Sequence, residues 1–125
     1  MSRAKKIVFG GGLALLVGAG LLHLLGYYLT REFRESEAIL QPLLATNAPL
    51  TNVMAHAGFF TVTRRNTPEW TQMVARYTSG SKWDKHIAKE MEHAAAIGHN
   101  STISMQTWIF LDAKDRLIGF KLGTQ

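Results

Sequence analysis

The pattern of apolar and polar positions divides the chain at Leu29. Residues Ile7 to Leu29 (IVFGGGLALLVGAGLLHLLGYYL) run without one Asp, Glu, Lys or Arg. As a helix this stretch reaches roughly 34 Å, enough to cross a hydrocarbon core of about 30 Å while satisfying its own backbone polar groups. It predicts a transmembrane helix. The stretch exceeds the roughly 7–15 residues of a signal-peptide core and no A-x-A-like site follows it, so the anchor is expected to be retained. Gly10, Ala14 and Gly18 recur every fourth residue and would form a small-residue face for helix packing in lipid. Tyr27 and Tyr28 fall where an aromatic belt would sit.

Beyond the stretch the periodicity changes repeatedly. TREFRESEAIL predicts a helix leaving the membrane, with Pro42 expected to end or kink it near Leu40. A short helix is expected over Pro49 to Ala57, stopped by Gly58. Phe59 to Arg65 (FFTVTRR) has strand composition. Thr67-Pro68-Glu69 is a helix start, and Trp70, Met73, Val74 and Tyr77 follow as one apolar stripe. Ser81 and Asp84 suggest a capping box for a helix from Lys82 to Ile97, closed by Gly98, with Trp83, Ile87, Met91 and Ala94 inward. The chain ends in a β-hairpin, STISMQTWIFLD and LIGFKL around DAKDR. Its two faces are both apolar near the turn, so both are expected to be covered.

These elements predict an α+β protein: one N-terminal transmembrane helix, then a small head of helices packed on a short antiparallel sheet with a C-terminal β-hairpin. The expected divisions are a basic flank over 1–6, the span over 7–29, a membrane-proximal helical segment over 30–57 and an α+β head over 58–125.

Charge narrows the partners. The formal charge is +5, but Arg3, Lys5 and Lys6 precede the span, and the rest carries 11 basic against 9 acidic residues. Such a head is not a nucleic-acid surface. Basic residues before the span place the N-terminus on the cytoplasmic or matrix side and the head in the periplasm or mitochondrial intermembrane space. The absence of cysteine excludes disulfides and thiol catalysis.

Candidate chemistry is sparse. His86, Glu90 and His93 would share one face of the predicted helix, with the Glu-x-x-His spacing of carboxylate-bridged metal sites. Lys82, Lys85, Lys89 and Glu92 make the same helix an ordinary solvated surface. His23 is an ionisable group within the span and a candidate intramembrane polar contact or haem ligand. Trp70, Trp83 and Trp108 are either core or interface anchors. No hydrolase, phosphate-loop or dinucleotide motif occurs, so a non-enzymatic protein without a cofactor is expected.

The Tyr27-Tyr28 pair ending the span, the L-x-x-N-x-x-L pattern (Leu44, Asn47, Leu50) leading through Gly58 into a strand, the Ser79-Gly80-Ser81-Lys82 turn, and the hairpin with Trp108 and Gly119-Phe120-Lys121-Leu122 together resemble the single-span cytochrome oxidase assembly factor family. That family shares its fold with a small subunit of the mitochondrial inner-membrane translocase. The resemblance implies a single-pass accessory subunit or assembly factor of a respiratory complex, and more β-structure over Lys82 to Ile97 than the periodicity gives. A metal- or haem-handling membrane protein and an envelope-anchored binding or immunity-type protein are the alternatives.

Overall fold

The computed structural model describes residues 17–26, 30–103 and 105–124. The chain divides into two compact units, Met1–Arg34 and Glu35–Gln125. In the first, residues 17–26 are helical. Among the described residues no helix is long and apolar enough to cross a membrane. Most of the apolar stretch, with Gly10, Ala14, Tyr27 and Tyr28, lies outside the described residues.

The second unit is α+β. Helix α1 (Arg31–Ala45), which begins in the first unit, and α2 (Leu50–Ala57) are followed by β1 (Thr61–Arg64), α3 (Pro68–Thr78), α4 (Lys82–Met91), β2 (Ala96–Ser101), β3 (Met105–Leu111) and β4 (Leu117–Thr124). The strands form one antiparallel sheet in the order β1-β2-β3-β4.

Most boundaries follow the local chemistry. The Thr67 hydroxyl accepts the Trp70 amide at 3.2 Å and starts α3. Ser81 and Asp84 form a reciprocal capping box at α4. Gly58 ends α2 with φ 93°. Asp112 Oδ1 accepts the amides of Lys114 and Arg116, both at 2.9 Å, which shapes the hairpin turn.

Two helix ends differ from those expected. Helix α1 continues through Pro42 to Ala45. Pro42 and Ala38 are both exposed, so the carbonyl that Pro42 cannot serve is on the solvent side. The helix expected to reach Ile97 ends instead at Met91, and Ala96–Ser101 is an inner strand of the sheet. The cause is Arg65. Its Nη2 donates to the carbonyls of Met91 (2.8 Å), Glu92 (3.0 Å) and Ala94 (2.6 Å), and its Nε to Ala94 (2.8 Å). The helix end tightens to i→i−3 bonds under this cap, and the backbone amide of Arg65 donates to Ala95 O at 2.9 Å.

Both faces of the sheet carry buried apolar side chains. On one face, Ile97, Trp108 and Phe110 join Trp70 of α3 and Ile87 and Met91 of α4 in a single apolar cluster. Trp83 packs against this cluster, and a Cβ on Gly123 would lie 2.8 Å from its ring. The other face carries Ile109, Leu111, Leu117 and Leu122, all buried, as are Leu40 of α1, Val53 of α2 and Phe60. The α1–α2 loop is stapled to the start of β4, with Asn47 Nδ2 donating to Leu117 O (2.7 Å) and Leu117 N to Ala48 O (2.8 Å). Asn47 holds φ 51°, a conformation Asn tolerates better than most residues.

Burial dominates the energetics. Each fully buried Ile or Leu side chain contributes about 1.5–3 kcal/mol. The exposed bidentate pair of Arg64 and Asp115 (2.6 and 2.9 Å) contributes about 0–1 kcal/mol. The Arg64 hydrogen bond still holds the Asp115 carboxyl below its ordinary 3.8.

Two substitutions test this packing. A Cβ on Gly98 would lie 2.6 Å from Ile109 Cγ1 and 3.2 Å from Phe60 Cβ. Gly98→Ala should therefore cost about 1–3 kcal/mol of stability by overpacking, read from urea denaturation. Arg65→Gln should cost about 2 kcal/mol by the same assay, since it orphans carbonyls at the end of α4. A loss within error of zero would show that the cap is dispensable.

Candidate functional site

Ending α4 at Met91 decides which side chains meet. Register pairs Thr61 with His99 and His99 with Trp108, so these three lie on one face of the sheet, together with Thr63. Helix α3 runs beside them. Its residues Glu69, Gln72, Met73, Arg76 and Tyr77 form a single stripe at helical spacing. Between the stripe and the strands is a cleft of about 500 Å³, walled on the sheet side by Thr61, Thr63, His99, Gln106 and Trp108.

At the base of the cleft is an aromatic stack. The His99 and Trp108 rings are 4.0 Å apart and 25° from parallel. Tyr77 meets Trp108 edge-on, with centroids 5.1 Å apart and planes at 83°. The Arg76 guanidinium lies 5.8 Å from the Tyr77 ring centroid, within cation–π range. Two buried polar atoms in the stack, His99 Nε2 and Trp108 Nε1, have no hydrogen-bond partner among the described residues. Buried unsatisfied groups of this kind cost about 1–3 kcal/mol each and are uncommon in native folds.

The electrostatics are asymmetric. Burial pushes the His99 imidazole below its ordinary 6.5, and the nearby Arg76 charge adds to the effect. His99 is thus held neutral at pH 7, able to donate or accept a hydrogen bond without competing for positive charge. Burial raises the Tyr77 hydroxyl above its ordinary 10.0. Arg76 has no ion-pair partner among the described residues, so its fork of N–H donors is available at the rim. Glu69 is two helical turns away, about 10 Å along the axis.

The residues singled out in the sequence fall elsewhere. His93 lies beyond the end of α4, which breaks the shared face with His86 and Glu90. Among the described residues no group of three or more His, Asp or Glu is placed to hold a metal ion. Trp70 and Trp108 are buried, and Trp83 is half-buried against the same cluster, so the three tryptophans are core rather than exposed anchors. Gly18 and His23 lie in the helical 17–26 segment, where His23 is exposed and a Cβ on Gly18 meets nothing within 4 Å. The His99 stack was missed because His99 followed a glycine taken as a helix stop. The one related signal is the alternation of β3, which puts Trp108 and Phe110 on one face and so requires a layer packed over it. Comparison with protein-family models, with curated proteins and with solved structures finds no match.

The depressed His99 value has a definite sign. Between its value in the fold and 6.5, the unfolded chain binds more protons at this residue than the folded chain, so stability rises with pH. The contribution is complete above 6.5 and is lost as pH falls through the folded value. His99→Gln should flatten the fall in stability between about pH 6.5 and pH 5, measured by urea denaturation across that range. Equal slopes in both proteins would show that His99 titrates alike folded and unfolded.

Proposed function

We propose that the chain is a single-pass membrane protein that acts, without catalysis, as an accessory subunit or assembly factor of a larger membrane complex. The observation that carries this reading is the helical segment 17–26. Its large apolar side chains Val17, Leu21, Leu22, Leu24 and Leu25 are 54–71% exposed, within a 23-residue stretch free of charged side chains. Burying five such side chains in lipid or against other helices is worth several kcal/mol, and leaving them in water forfeits it. The open space beside Gly18 suits the close approach of a neighbouring helix along the row of Gly10, Ala14 and Gly18.

The basic N-terminal flank orients the span with its N-terminus on the cytoplasmic or matrix side and the head in the periplasm or intermembrane space. The resemblance to the single-span cytochrome oxidase assembly factors favours a respiratory complex as the partner.

Extraction in mild detergent followed by native electrophoresis should find the chain in a defined particle much larger than its 13.9 kDa. Replacing Gly10, Ala14 and Gly18 together by leucine should release it. Migration of the natural chain as a small monomer would overturn the subunit reading, and a triple variant that stays associated would move the contact to the head.

A further inference from the structure

We propose that the cleft between α3 and the sheet is a binding site for an organic carboxylate, seated on the Arg76 guanidinium beside His99. This inference concerns the head alone and goes beyond its membrane placement.

The junction between an amphipathic helix and a sheet is ordinarily filled with apolar side chains. Here a cleft of about 500 Å³ remains open, and its lining mixes polar side chains with Met73 and the Tyr77 and Trp108 rings. Arg76 is exposed, with its guanidinium 5.8 Å from the Tyr77 ring centroid and no ion-pair partner among the described residues. A planar carboxylate matches the N–H edge of the fork with two parallel hydrogen bonds. His99 is in the same lining, half-buried, and its side chain has no hydrogen bond among the described residues; Nε2 is buried, so Nδ1 is the ring nitrogen that can offer a further N–H.

The remaining lining says what the carboxylate is attached to. Gln72 and Gln106 bring an amide each from opposite walls, and Thr63 brings a hydroxyl. These groups donate and accept at once, which complements amide-containing chains rather than hydrocarbon. Glu69, at the far end of the helix stripe, disfavours a second negative charge there and so selects for a single terminal carboxylate. The C-terminus of a peptide and a small free acid share this chemistry.

The test uses the full chain in detergent micelles with three probes: acetyl-trialanine as the free acid, its C-terminal amide, and acetate. Binding is followed through the Trp108 indole N–H and His99 imidazole resonances. The free acid should shift both signals saturably, and the amide should bind at least about tenfold more weakly, the size expected for losing a charge-assisted pair. Arg76→Gln, an exposed position whose substitution leaves the core intact, should abolish the difference between acid and amide. Arg76→Lys should restore part of it. Acetate binding as tightly as the tripeptide acid would support the carboxylate seat and identify a free acid as its occupant. Equal binding of acid and amide, no saturable shift with any probe, or an acid preference undiminished in Arg76→Gln would each overturn the proposal.

Discussion

One guanidinium sets the architecture. Arg65, at the end of β1, gathers the carbonyls of Met91, Glu92 and Ala94, while its backbone amide takes up Ala95. A helix end with exposed carbonyls can either extend or be capped, and here the cap comes from a residue 26 positions earlier in the chain. The chain is then free to turn into β2. With β2 in place, the sheet has four strands and His99 faces α3. The same guanidinium lies 5.1 Å from the Trp70 ring centroid, which ties the cap to the apolar cluster below it.

The sheet's two buried faces are made possible by residues without side chains. Gly98 lets Ile109 and Phe60 close over β2, and Gly123 receives the Trp83 ring. Large rings can therefore reach the sheet on one side while aliphatic groups fill the other. The cleft is what remains where α3 leaves the apolar cluster and its polar stripe faces the strands. Its shape depends on the tryptophans being inside, since Trp108 is the surface on which His99 lies.

Local chemistry made much of this fold legible. Thr67, Ser81 with Asp84, Gly58 and the alternation of the final hairpin are all read from a few neighbouring residues, and each performs its expected part. The inward positions of α3 and α4 were equally plain from their period. Strand β2 was not legible, because EMEHAAAI continues the helical pattern and AIGHNS has little strand composition. A distant arginine overrides that local preference, and a sequence window contains no sign of it. The shared helical face expected for His86, Glu90 and His93 is absent for the same reason, since α4 ends at Met91. The carboxylate seat is built from β2, β3 and α3 together, so it became visible only once β2 was placed. Helix α1 passes Pro42 without ending there because an exposed helix tolerates proline where water can serve the freed carbonyl.

The order of the strands also has a kinetic side. Strands β2, β3 and β4 form a meander joined by short loops, whereas β1 pairs with β2 only after α3 and α4 have intervened. Local pairings close quickly and distant ones wait on the larger entropy of loop closure. Strand β1 is a four-residue edge strand held to a single neighbour. When β1 lifts away, it takes with it both the threonine wall of the cleft and the residue that caps α4. Amides of β1 and of the α4 C-terminus would therefore exchange with solvent as one cooperative unit, and each such opening briefly unpairs the edge of β2.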